Sequence, residues 1–314
     1  MNFLAILVAL LLEQGRPLGQ DNPVHRMAMA WARWARRSLD AGETRQGWLA
    51  WLLAAAAPAA VAAIVHLMLA EFSVVLSLAW LVLVLYVTLG FRQFSHHFTV
   101  IRDALDAGDE EAARAELAAW QDVEVGRLPR SEIVRHVIEH SALSAHRHVF
   151  GVLLSFILLA LLGLGPAGAV LYRMAEFLAR RWRPRLDDPP SEAAQSAARQ
   201  AWYWIDWLPS RVTAVAFAVV GNFEEAIAAW RQDAARFPQA NDGVVLAATS
   251  GAINVRLGGR ELGATALATA DTFGLTDGRE PQLAHLSSLV GLVWRSVVLW
   301  LLLMALMTLA RAVG

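Results

Sequence analysis

The 314-residue sequence contains no cysteine and no lysine. Without cysteine there can be no disulfide, thiolate metal site, iron–sulfur cluster or cysteine nucleophile. Without lysine there is no phosphate-loop lysine, no kinase strand lysine and no pyridoxal Schiff base. Any phosphate or nucleotide must therefore be met by arginine, by backbone amides or by a metal. Charge is also scarce, at 18% of residues, where soluble domains carry about a quarter. The net charge is −1, and no basic stripe with interleaved aromatics lies outside helix ends. No nucleic-acid partner is expected.

What remains is apolar. Hydrophobic residues make up 57% of the chain, the mean hydropathy is +0.42, and long windows hold no charge at all. This predicts an all-α, polytopic membrane protein with about four transmembrane or re-entrant apolar segments plus polar helical regions. The lipid bilayer is its expected partner.

Six regions follow along the chain. Region 1–47 opens with "MNFLAILVALLL", too short to span a bilayer core of about 30 Å. It lacks the basic start and small-residue cleavage site of a signal peptide, so a partly inserted or protein-packed helix is expected. An amphipathic helix follows, carrying Arg26, Arg33, Arg36 and Arg37, and its charge places it on the cytoplasmic side. Region 48–90 reads as a tight transmembrane hairpin broken at Glu71, with Pro58 and His66 inside its first arm. Region 91–148 is polar and helical.

Its end gathers His136, His140, His146 and His148 beside Glu132 and Glu139. One-turn spacing of His136 and His140 suits either a metal or an amphipathic helix meeting headgroups; no zincin signature is present. Region 149–178 is a membrane segment broken at Gly165–Pro166, since proline cannot continue a regular helix. It is either one kinked span or two half-helices meeting at a re-entrant break, and the basic run at 180–185 favours the second. Region 179–288 is polar and helical, with the linker "PRLDDPPSE" (184–192) and the motifs "WLPSR" and "VRLGG". Region 289–314 is a C-terminal transmembrane helix. "GNFEEAIAAWRQDAARFPQAN" looks like half a tetratricopeptide repeat, but repeats bury a core only in adjacent copies.

In "AWYWIDWLPSRVTAVAFAVVGN" (201–222) the residue before Pro209 is pushed out of the helical region. A helix boundary is expected at 207–209, with Ser210 capping a helix over 211–221 that ends at Gly221–Asn222. Arg211 then sits at the end of the helix dipole that disfavours a cation, so it should meet an anion, either Asp206 or a ligand phosphate or carboxylate. Gly258–Gly259 beside Arg256 either expose amides to an anion or stop a helix. Tyr172–Arg173 adjoin the Gly-Pro break and could line a polar cavity. Glu13 and Arg26 would meet it if the N-terminal helix packs back.

These strings together resemble one family of bacterial inner-membrane proteins, the CobD/CbiB–AmpE superfamily. The matching residues are "LLLEQ" with "NPVHR", "GPAGAVLYR" (165–173), "WIDWLPSRVTAVAFAVVGN" (204–222), Trp230 and "NDGVVLAATSGAINVRLGG" (241–259). The resemblance implies a multi-pass protein of the bacterial inner membrane. CobD/CbiB proteins condense an aminopropanol moiety with adenosylcobyric acid to make cobinamide, whereas AmpE is linked to β-lactamase induction. In "IEHSALSAHRHVFG" Glu139 matches the synthases but His140 stands where they carry asparagine. "MAEFLARRW" lacks their Asn, Asp and Ser.

Those departures favour an AmpE-like regulator or sensor keeping part of an anionic-ligand pocket. The alternative is a cobinamide synthase-like carboxylate–amine ligase, and the third reading is a transporter component. The resemblance points to Asp206, Glu139 and Glu13 as catalytic candidates. Arg211, Arg256, Gly258, Gly259, Tyr172, Arg173, Arg26 and Asn222 are the ligand-binding candidates. Magnesium and ATP follow only from the ligase reading, and no metal-ligand set is assigned.

Overall fold

A computed structural model describes residues 2–15, 23–121, 126, 128–183, 189–259, 262 and 275–313. The "PRLDDPPSE" linker lies partly outside these. Among them the regular structure is helical, and an isolated parallel bridge joins Val255 and Arg279. The chain divides into two compact units, Met1–Phe91 with Arg147–Pro209, and Arg92–His146 with Ser210–Gly314.

The helices are α1 (Asn2–Gly15), α2 (Pro23–Leu39), α3 (Thr44–Phe72), α4 (Val74–Thr88), α5 (Phe91–Asp106), α6 (Glu110–Gln121) and α7 (Arg130–Leu161). They continue with α8 (Ala167–Arg181), α9 (Glu192–Val220), α10 (Phe223–Asp233), α11 (Ala240–Ile253) and α12 (Leu283–Val313). Three helices, Thr44–Phe72, Arg130–Leu161 and Leu283–Ala310, are long and apolar enough to cross a membrane. α1 and α4 are apolar but shorter.

In the first unit, α3 turns into α4 at Ser73, not at Glu71, which stays helical. Ser73 takes extended backbone angles and its hydroxyl accepts from the Val75 amide at 3.2 Å, an N-cap. Pro58 is absorbed without a break because the turn Leu52–Ala56 is π-helical. There the Ala57 amide bonds to Leu52 O, and Pro58 has no N–H to offer Leu53 O. That carbonyl instead accepts from Trp31 Nε1 at 3.2 Å, which fastens α2 to α3.

The Gly-Pro break is a helical hairpin turn. α7 ends at Leu161, Gly165 adopts φ +56°, and Pro166 opens α8. Gly165 has no room for a Cβ, which would lie 2.3 Å from the His66 ring; one on Gly168 would lie 1.8 Å from Ser155 O. The missing side chains let α8 pack directly on the last turns of α7. Ala59, Ala63 and Ala167 form a small core where α3 meets α8.

The second unit is built around α11, whose residues 241–252 are all buried. α10, the first half of α7 and α12 pack on it. The repeat-like string therefore forms one helix, α10, lying against α11, and no array.

One expectation fails outright. Pro209 lies inside α9, which runs unbroken from Glu192 to Val220, so no boundary falls at 207–209 and Ser210 caps nothing. Proline removes one donor and strains one turn, a cost of about 3 kcal/mol, and the burial of α9 residues such as Ala214, Phe217 and Ala218 offsets it. The expected end at residues 221–222 does occur, but Asn222 acts forward: its side chain accepts from the Glu225 amide at 3.3 Å and caps α10.

Candidate functional site

A cavity of about 290 Å³ lies in the second unit, and α7 supplies its charged wall. Glu132, Arg135 and Glu139 stand three and four residues apart, so their side chains meet on one helical face. The Arg135 side chain, 5% exposed, donates from Nη2 to Glu132 Oε2 at 2.7 Å and from Nη1 to Glu139 Oε1 at 2.9 Å. A buried guanidinium is stable there only because both carboxylates meet it.

α11 and the loop after it add Asp242, Gly258 and Gly259, and Gln121, His136, His140 and Gln239 complete the polar lining among the described residues. The Gly258 amide donates to Glu139 Oε1 at 2.7 Å from a backbone at φ +88°. Buried hydroxyls hold this loop in place. Ser250 Oγ donates to Val255 O at 2.7 Å and meets Thr276 Oγ1 at 2.6 Å. The Leu257 amide donates to Thr276 Oγ1 at 2.9 Å, and the Thr276 amide returns a bond to Leu257 O at 2.9 Å.

Among the described residues of this lining, Glu139 and Asp242 are the carboxylates and Arg135 the guanidinium, and Arg135 is also clamped by Glu132. An excess of carboxylate in such a cavity draws a cation.

The expected residues are partly brought together. Glu139, Gly258 and Gly259 line this cavity. Arg256, two residues away, has an exposed side chain and takes no part in the lining. Arg211 donates to Asn241 Oδ1 at 3.1 Å and to Ser210 Oγ at 3.3 Å; its partner is the first turn of α11, and it too lies outside the lining. Asn222 is a helix cap.

No metal site forms from the histidine–glutamate spacing. His136 accepts from Arg135 at 2.9 Å, His140 lies edge-on to Trp120 with centroids 4.4 Å apart, and His146 meets Thr213 Oγ1 at 2.9 Å. Among the described residues no three His, Asp or Glu side chains are placed to hold a metal ion.

The other candidates belong to the first unit. The Tyr172 hydroxyl donates to Asp206 Oδ1 at 2.7 Å, and both side chains are wholly buried. The bond needs Gly151, where a Cβ would lie 2.1 Å from the tyrosine oxygen. Arg173 pairs with Glu176 at 3.0 Å, and Arg180 approaches the other oxygen of the same carboxylate. Glu13 is buried in α1, while Arg26 is exposed on α2 and does not join these groups. The pairings tie α8 to α9 and brace α8 internally.

Sequence reasoning passed over Arg135 and Asp242. The signal for Arg135 was present in the Glu-x-x-Arg-x-x-x-Glu spacing. Asp242 stands in the Asn-Asp-Gly string that opens the most buried helix.

Fold and site together define a helical protein with membrane-length segments and an acidic, small-molecule-sized cavity. A family model described as CobD/Cbib protein matches residues 3–293, and the chain belongs to that family. It is 29% identical over 311 residues, 96% of each chain, to a protein of Stutzerimonas stutzeri (strain A1501) called cobalamin biosynthesis protein CobD. A protein of the same name from Chromobacterium violaceum is 32% identical over 57% of this chain and 55% of its own. Another, from Mycobacterium tuberculosis (strain CDC 1551 / Oshkosh), is 39% identical over 37% and 33%. No solved structure matches. These relatives favour the synthase alternative over the AmpE-like regulator.

Proposed function

We propose that this chain is a multi-pass inner-membrane protein that joins an amino alcohol to a corrin carboxylate in cobalamin biosynthesis, with the acidic cavity receiving the amine. The observation that carries this reading is the carboxylate excess of Glu139 and Asp242 over Arg135 in one cavity, in a chain whose family match covers residues 3–293. An anionic ligand, the earlier expectation, would meet like charge there. An ammonium group is attracted.

Size points the same way. The cavity's roughly 290 Å³ is at the lower end of small-molecule sites, about 300–1,000 Å³. It suits an amino alcohol. Asp242 and Glu139 fill the roles of ammonium acceptor and proton acceptor: the amine must lose a proton before its lone pair can attack a carbonyl carbon. Arg135 fixes Glu139 in position.

Amide formation expels one carboxylate oxygen, which requires activation. ATP, implied by the family resemblance, would supply it. The described residues do not assemble a magnesium site, since Glu139 Oε1 already faces Arg135 and Gly258 and no third ligand converges.

Expression in a cobinamide-synthase-null strain tests the proposal. The chain should restore salvage of cobyric acid to cobinamide, and the Asp242→Asn variant should not. Failure of well-expressed, membrane-inserted wild type would refute it.

A further inference from the structure

α2 presents two different faces. Its inner face, with Ala32, Ala35 and half-buried Trp31, packs into the core that α3, α8 and α9 share in the first unit. Its outer face carries Arg26, Arg33 and Arg37 at helical spacing, interleaved with exposed Met27 and Trp34. The helix contains no Asp or Glu. Asp40, just past its end, accepts from the amide and hydroxyl of Ser191. The end of α8 adds a further cation, with Arg181 Nη2 bonded to Met29 Sδ at 3.2 Å.

Position along the bilayer normal comes from one bond. Trp31 Nε1 donates to Leu53 O, so α2 is fastened beside the first turns of spanning helix α3, where Trp48 and Trp51 also lie. Tryptophans gather at the headgroup level of a membrane. A face that mixes arginine with tryptophan and methionine suits that layer, where the aromatic and thioether bodies enter the acyl boundary and the guanidiniums meet phosphate.

We infer that the outer face of α2 is a docking surface for anionic phospholipid headgroups. Charge complementarity selects the occupant: the face carries three exposed arginines, and guanidinium binds phosphodiester oxygens in a fork geometry. A zwitterionic headgroup presents a cation of its own beside the phosphate, so it binds the same face less well. The surface lies in the first unit and is independent of the cavity proposed for catalysis.

The test uses the full-length protein purified in detergent, given equal amounts of phosphatidylglycerol and phosphatidylcholine with identical acyl chains. Retained lipid is counted by native mass spectrometry. Wild type should retain phosphatidylglycerol over phosphatidylcholine by tenfold or more, since each basic side chain at an anionic surface contributes about fivefold. Arg26→Gln/Arg33→Gln/Arg37→Gln should bring the ratio close to one. The corresponding triple lysine variant should keep most of the preference, which guards against misfolding as the cause. Removing exposed arginines from the second unit (Arg102→Gln/Arg231→Gln/Arg279→Gln) should leave it unchanged. Equal retention of both lipids by wild type, or an unaltered ratio in the α2 glutamine variant, would overturn the inference. So would an equal drop in the second-unit control.

Discussion

The Gly258 amide donates to Glu139 Oε1 at 2.7 Å across 119 residues of sequence. Glu139 thus sits between Arg135 on its own helix and a backbone donor from the loop after α11. The loop backbone is at φ +88°, where a Cβ costs about 1–3 kcal/mol. Gly258→Ala should lower stability by that amount and raise the KM for the amino alcohol several-fold as the amide is displaced. Unchanged KM in steady-state assays would mean the amide has no part in the site.

Arg135 separates two kinds of ion pair. Its own side chain is 5% exposed, whereas that of Glu132 is 37% exposed. Arg135→Met strands two carboxylates, and loss of a buried partner costs about 3–5 kcal/mol. Glu132→Gln removes only the outer member and should cost about 1 kcal/mol or less. Denaturation in mild detergent should rank them in that order; equal effects would contradict the clamp.

Tyr172 and Asp206 are expected to hold helices together without touching substrate. Tyr172→Phe leaves a buried carboxylate oxygen short of a donor, which costs about 1–3 kcal/mol. Gly151→Ala drives a methyl into the tyrosine oxygen and should be at least as damaging. Melting temperature should fall in both variants while the KM of the surviving folded enzyme stays constant. A selective rise in KM would place Asp206 in the site after all.

The hydroxyls of Ser250 and Thr276 position the glycine loop. Thr276→Val removes the acceptor for the Leu257 amide and the partner of Ser250. It should raise KM several-fold with kcat less affected. Thr276→Ser keeps the hydroxyl and should restore wild-type KM, whereas a purely volumetric role would make serine the worse replacement.

How far the sequence discloses this architecture depends on the element. α3 and α12 are legible because their apolar runs contain few competing signals. The break before α8 is equally clear, since Gly165 and Pro166 act locally. Pro209 misleads because its effect is decided by packing: the local penalty is real, yet α9 passes through it. α11 is hidden for another reason. Asn241, Asp242, Thr249 and Ser250 interrupt its apolar run, but each is buried, with Thr249 and Ser250 bonding to backbone carbonyls.

The site shows the same division. Glu139 and the Gly258–Gly259 pair could be named from short strings, because glycine pairs and helical spacing are local properties. Arg211 and Arg256 stand in equally short strings, but a string does not tell which way a long side chain turns. The acidic balance of the cavity needs Asp242 and Glu139 in one place, and they are 103 residues apart in the sequence.

The most direct measurement is the KM of the purified full-length protein for the amino alcohol in cobinamide formation, comparing wild type with Asp242→Asn and Arg256→Gln. Losing one charged hydrogen-bond partner for an ammonium costs about 1.5–3 kcal/mol, so Asp242→Asn should raise this KM about ten- to hundredfold and leave the KM for the corrin acid unchanged. Arg256→Gln should leave the amine KM within twofold of wild type. An Asp242→Asn enzyme with wild-type amine KM would contradict the acidic cavity as the amine site.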